Sequence, residues 1–134
     1  MTTEAAGTES PSALEFLVLA KDCVSRPVLG DITGRWGTLV LLALREDSLR
    51  FSEIRRHIEG INEKALSQSL RALERDGFVE RHAEEGFPVR VEYNLTELGA
   101  TITDRLQTLV DELYSFMPDV LTAQSDYDRK HPAI

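Results

Sequence analysis

The stretch RFSEIRRHIEGINEKALSQSLRALERDGFVERHAEEGFPVRVEYNL, residues 50–95, changes its hydrophobic period twice, and those changes decide the fold. Phe51, Ile54 and Ile58 recur at helical spacing; Glu59-Gly60-Ile61 then breaks the period, and Asn62 offers an N-cap for a second helix. Gly60 supplies the turn between the two helices. In the second helix, Asn62 to about Asp76, Leu66, Leu70 and Leu73 share one stripe. At about 100° per residue, Lys64, Gln68, Arg71 and Arg75 take the opposite stripe, with Ser67 at its edge. After Gly77 the period falls to two: Phe78 to His82 is one expected strand, and Val91, Tyr93 and Leu95 alternate with Arg90, Glu92 and Asn94 in another. Glu84-Glu85-Gly86-Phe87-Pro88 is the loop between them. The order is a helix-turn-helix followed by a hairpin wing.

On either side the pattern is helical. Residues 1–11 have no apolar period and are expected to form a disordered tail. A helix is expected from Ser12, with Leu14, Leu17 and Val18 on one side and an interruption at Pro27, then a short helical stretch from Val28 to Ile32. Arg35 to Arg45 is the most apolar segment and is expected to be the buried hub. Thr96 caps a last helix in which Leu98, Ile102, Leu106, Leu109, Leu113, Phe116 and Val120 recur every three or four residues. That stripe is longer than one small domain covers, and packing it against a second copy makes a homodimer the expected state. The expected fold is therefore mainly α with a small β-hairpin wing (α+β): one winged helix-turn-helix domain over 12–124, including N- and C-terminal dimerisation helices, and a flexible C-terminal tail over 125–134.

Composition bounds the function. At 134 residues with 42% hydrophobic side chains, the chain fits one core. Its longest apolar runs, Phe16–Ala20 and Leu39–Leu44, fall well short of the roughly 20 residues that span a bilayer, and Met1 is followed by polar, acidic sequence. The expectation is a cytoplasmic protein with no membrane partner. Cys23, the single cysteine, excludes an intramolecular disulfide, and His57, His82 and His131 are too scattered for metal ligation, so no metal or cofactor is expected. There is no Gly-rich phosphate loop or nucleophile elbow, and Glu84-Glu85 are adjacent on a loop, so no catalytic residues are assigned and the chain does not read as an enzyme.

The net charge of −8 divides unevenly: −3 over residues 1–34, −1 over 35–95 and −4 over 96–134. Glu63, Glu74 and Asp76 lie off the polar stripe of the second helix, so its outward face is locally basic. That face suits the major groove of double-stranded DNA. Ser67, Gln68 and Arg71 have the chemistry to address base edges, and Lys64 and Arg75 to meet phosphates. Arg55 and Arg56 precede the turn, where the first helix crosses the backbone, or else pair with Glu59 or Glu53. Modest non-specific binding and a clear salt dependence are expected.

The run Arg50-Phe51-Ser52-Glu53-Ile54-Arg55-Arg56, then Gly60-Ile61, Leu66, Leu70, Leu73, Asp76-Gly77-Phe78-Val79, Arg81, Pro88, Val91-Glu92-Tyr93, Leu95-Thr96 and Gly99, resembles the HxlR-type winged helix-turn-helix regulators, relatives of the MarR group. The resemblance runs from about Cys23 to the last helix. It implies a homodimeric transcriptional regulator, most simply a repressor on a pseudo-palindromic operator. It also implies that Arg90, at the wing, reaches the minor groove or backbone; the other reading of Arg90 is a partner for Glu92 or Glu84. Cys23 lies thirteen residues before Trp36, where many relatives carry a cysteine that responds to oxidants or quinones. Lys21 and Arg26 favour its thiolate and Asp22 opposes it; the alternative is a small buried hydrophobe. Val24 and Gly34-Arg35 depart from the proline and the glycine-lysine common in that pattern. Two rival functions stand beside this one: a regulator answering a small-molecule inducer without a thiol switch, and a winged helix used for protein interaction.

Overall fold

A computed structural model describes residues 17–133. Its elements are α1 (Ser25–Thr33), α2 (Gly37–Ala43), α3 (Phe51–His57), α4 (Glu63–Arg75), β1 (Val79–Glu84), β2 (Arg90–Leu95) and α5 (Glu97–Lys130). The mainly α architecture with a small β wing is as the sequence implies. The tail expected over 1–11, and the first residues of the helix expected from Ser12, lie outside the described residues.

Two expectations near the start need correction. Residues 17–24 form turns instead of helix, and Pro27 does not interrupt a helix but sits in the first turn of α1. The Arg26 guanidinium explains the first: its Nε donates to the Val18 carbonyl at 2.8 Å and its Nη2 to the Leu19 carbonyl at 2.9 Å, folding the segment back. Pro27 is tolerated because a first-turn N–H has no partner within the helix anyway.

The core is built where three helices meet. Val40 and Leu41 of α2, Ile54 of α3, and Leu66, Leu70 and Leu73 of α4 are buried together with Phe78, Val79 and Leu106. The hub is shorter than expected, with Arg35 and Arg45 outside α2 and Leu39 left 41% exposed. Its neighbours are α1, α3, α4 and α5, so it still meets every other helix.

Between α3 and α4 the chain turns at Gly60, whose φ of 91° lies in the region that favours glycine. The Asn62 side chain then accepts the Ala65 N–H at 2.8 Å and caps α4. At the wing, β1 and β2 pair antiparallel from Val79↔Leu95 to Glu84↔Arg90, two residues further toward the tip than β1 was expected to reach. Tyr93 also exchanges backbone hydrogen bonds of 2.8 and 2.9 Å with Leu49, which ties the hairpin to the chain entering α3.

The start of α5 is fastened to the end of α4. The Thr96 hydroxyl donates to the Gly77 carbonyl at 2.6 Å and accepts the Gly99 N–H at 3.0 Å, while the Thr96 N–H donates to the Phe78 carbonyl at 3.0 Å. Gly99 permits this approach: a Cβ there would lie 1.9 Å from the Phe78 carbonyl oxygen. Beyond Leu106 the helix leaves the domain, and Leu109, Leu113 and Phe116 are about half exposed. It does not stop near Ser125, where a polar tail was expected, but continues to Lys130. Arg129 and Lys130 in its last turn suit the negative end of the helix dipole, and His131 closes it with an N–H bond to the Tyr127 carbonyl at 2.8 Å. Among the described residues, no helix is long and apolar enough to cross a membrane.

The two glycines are expected to tolerate a methyl group differently. Gly60→Ala meets no atom within 4 Å, and its cost is the backbone strain of a side chain at a φ of 91°, about 1 kcal/mol. Gly99→Ala must push α5 off the Phe78 carbonyl and is expected to cost about 3 kcal/mol or more. Urea unfolding of the two variants checks the order.

Candidate nucleic-acid interface

The outward face of α4 is exposed at Lys64, Gln68, Arg71 and Arg75, with Ser67 half-buried at its edge, as the period predicts. Among the described residues, no carboxylate lies within 4.0 Å of a charged nitrogen of Lys64, Arg71, Arg75, Arg56, Arg81 or Arg90. Other cations are engaged: Arg45 pairs with Glu46 and Asp104, each at 3.2 Å. An acidic chain thus keeps a set of unpaired cations around one helix.

Arg55 and Arg56 behave differently. Arg55 reaches neither Glu59 nor Glu53 but pairs with Glu63 at 3.6 Å, fastening α3 to the first residue of α4 across the turn. Arg56 lines a shallow cleft of about 410 Å³ at that turn with Ser52, Gly60 and Ile61.

Two clefts flank α4 and divide the expected base-reading set. On the wing side, Ser67, Arg71 and Glu74 face Arg81 and Tyr93 over a cleft of about 220 Å³ floored by Phe51 and Leu70. On the other flank, Gln68 and Ser69 face Gly34, Arg35 and Trp36 across about 320 Å³. The Arg35 guanidinium lies over the Trp36 ring, 4.9 Å from its centroid. Lys64 and Arg75 stand on the crest between the clefts.

Strand parity sorts the wing. Val79, Arg81 and Ala83 share the inward face with Val91, Tyr93 and Leu95, while Glu80, His82, Glu84, Arg90, Glu92 and Asn94 take the outer face. Arg90 therefore sits across from Glu84 on the face turned away from α4, where His82 also pairs with Glu80 at 2.9 Å. Arg81 is the basic side chain that the hairpin turns toward α4. It was not among the expected site residues, although its parity with buried Val79 was available as a signal.

Cys23 is buried, 4% exposed, with Sγ 2.8 Å from Ser25 Oγ. Burial pushes its thiol up, but hydrogen bonds from the Ser25 side chain and backbone and the Arg26 backbone, with the Arg26 charge, outweigh this and hold it below the ordinary range. Asp76, the C-cap of α4, is pushed up to about 6 by burial, by hydrogen bonding with Asp31 of α1 and by the Asp31 charge, with Arg75 opposing. Its Oδ2 is buried without a donor.

The HxlR-like helix-turn-helix family model matches residues 31–120. YtfH of Escherichia coli K12, an HTH-type transcriptional regulator that is itself uncharacterised, is 46% identical over 109 residues, 81% of this chain and 86% of its own length. The structure of YtfH from Salmonella typhimurium superposes with a TM-score of 0.77 at 44% identity, over 81% of this chain and 97% of that one. The redox regulator HypR in its reduced form gives a TM-score of 0.66 at 33% identity, over 73% and 96%.

The Asp31–Asp76 contact sets a pH dependence. Between the ordinary Asp value of 3.8 and about 6, the folded chain holds a proton at Asp76 that the unfolded chain has lost. The contribution of Asp76 to stability is thus greatest below that window, falls as pH rises through it and is level above. Asp76→Asn is expected to remove this slope and to be more stable than the parent at pH 7.5, with little difference at pH 4. Thermal unfolding at the two pH values checks it.

Proposed function

The chain belongs to the HxlR-like helix-turn-helix family of transcriptional regulators, and from that premise we propose that it is a sequence-specific repressor that binds double-stranded DNA as a homodimer in the cytoplasm. The observation that carries this reading is the set of unpaired cations on and beside α4, in a chain whose net charge is −8. Phosphates are the partner that such a face accepts, since neutralising each one releases a counterion. Lys64 and Arg75 on the crest serve the backbone; Ser67 and Gln68 serve base edges; Arg56 meets the flanking strand, Arg55 supports it from its bridge to Glu63, and Arg90 follows the wing.

The dimer rests on α5. Leu109, Leu113 and Phe116 recur along a part of the helix that its own domain does not cover. Paired with the same stripe of a second copy, they set two recognition helices on successive major grooves, about 34 Å apart, on a pseudo-palindromic operator.

The trigger is Cys23, whose thiol is held low by Ser25 and Arg26. The similarity to HypR, named as a redox regulator, supports an oxidant signal. Because Cys23 is buried, modification must open the turn over residues 17–24, and that opening is the conformational change. A small apolar inducer is the second reading, favoured by a cleft of about 300 Å³ beside Leu39, Leu42 and Ile58.

Fluorescence anisotropy on DNA from upstream of the protein's own gene tests the reading. Arg75→Ala is expected to weaken binding about ten-fold and to lower the log–log salt slope by about one unit. Unchanged binding in both Arg71→Ala and Arg75→Ala would sink the DNA reading in favour of a protein-interaction module. Leu113→Glu is expected to sediment as a monomer and to lose operator affinity at least a hundred-fold. Diamide, reduced to its hydrazine as it joins the Cys23 thiol to a small thiol or to Cys23 of a second copy in a disulfide, is expected to release DNA from the parent and not from Cys23→Ser; release from both would move the trigger elsewhere.

A further inference from the structure

We propose that the cleft between α4 and the wing is a seat for one phosphodiester of the DNA backbone, held by Arg81 and Arg71 with the Ser67 hydroxyl beside them. The inference rests on the DNA-binding reading and deepens it: it names a contact that the helix face alone does not contain.

The two guanidiniums come from different elements whose separation the backbone sets. The Phe78 N–H donates to the Leu73 carbonyl at 2.9 Å, joining the end of α4 to the strand that carries Arg81. Tyr93, opposite Arg81 in the register, is held by its backbone bonds to Leu49. The two backbone positions are therefore held at a fixed separation, and the exposed arginine side chains can close on an anion from either side of the cleft. Neither arginine has a carboxylate within 4.0 Å, although Glu74 lines the same cleft.

That carboxylate specifies the ligand. Two guanidiniums and one carboxylate leave a net charge of one positive, which a phosphodiester monoanion neutralises and a free phosphate dianion over-neutralises. Size agrees: about 220 Å³ lies below the roughly 300–1,000 Å³ of small-molecule sites and has room for a phosphate group. Leu70 and Phe51 at its floor leave the guanidiniums as the groups that an entering anion meets. In this arrangement Arg71 positions the backbone, where the sequence pattern had placed it against guanine, and base reading falls to Ser67 and Gln68.

The test compares the parent, Arg81→Ala and Arg81→Lys on a duplex of about 30 base pairs from the upstream region and on a scrambled duplex of equal length. Arg81→Ala is expected to lose about ten-fold on both, with the salt slope reduced by about one unit, and Arg81→Lys to restore the slope. Thermal unfolding of the two variants shows whether the fold is retained, and the lysine variant carries the test if the alanine variant unfolds. Single methylphosphonates, which remove one backbone charge at a time, are then scanned along the operator. One position is expected to abolish the difference between parent and Arg81→Ala, because the charge that Arg81 meets is gone. A salt slope unchanged in Arg81→Ala, or no methylphosphonate that suppresses the difference, overturns the phosphate seat while leaving DNA binding intact. Saturable stabilisation of the free protein by inorganic phosphate, absent with chloride at equal ionic strength, would assign the cleft to a free anion and overturn the backbone assignment. A parent with no salt-dependent DNA binding would bring down the DNA reading itself.

Discussion

One threonine side chain holds the recognition helix in register with everything that follows it. Thr96 reaches back to the Gly77 carbonyl at the end of α4 and forward to the Gly99 N–H at the start of α5, and its own N–H holds the Phe78 carbonyl. Orphan groups of two helix ends are satisfied by a single residue, so neither end frays independently. The missing side chain at Gly99 is part of the same constraint, because only hydrogen fits against the Phe78 carbonyl. Through this knot the orientation of α4, and with it the cation-bearing face, is fixed relative to α5.

The electrostatics are arranged around that fixed helix. A chain with eight excess negative charges presents a basic face by distributing its acid, not by lacking it. Arg45 and Arg55 are consumed in ion pairs with Glu46, Asp104 and Glu63, while among the described residues Lys64 and Arg71 of α4 make no ion pair and Arg75 acts only on the adjoining Asp76. Much of the remaining acid lies along α5, and screening over roughly 8 Å at physiological salt confines its repulsion to its own surroundings.

The parts legible in the sequence were those governed by local periodicity and capping. The α3–Gly60–α4 unit, the Asn62 and Thr96 caps and the alternation of β2 follow from residues a few positions apart, so the pattern located them to within a residue or two. What the pattern misplaced depends on contacts across distance. The turns over residues 17–24 exist because Arg26 binds the Val18 and Leu19 carbonyls, seven and eight residues away. Arg81 gained its place beside Arg71 only when strand parity and the packing of β1 on α4 were known together. The raised pKa of Asp76 depends on burial and on Asp31 of α1, forty-five residues away in sequence. Helix continuation past Ser125 was missed for the opposite reason: a polar sequence with a favourable last turn stays helical without any core to bury.

The reach of α5 has a mechanical side. Its 34 residues make a rod about 50 Å long, gripped by the domain over only its first three turns. A tilt of about 5° at the gripped end displaces the far end by about 4 Å, and the converse holds: a small sideways push far along the rod becomes torque at the knot with α4. Pro118, inside that rod, lacks the N–H for one helical hydrogen bond and is where the rod bends most readily, so a push applied before Pro118 reaches the knot more directly than one applied beyond it.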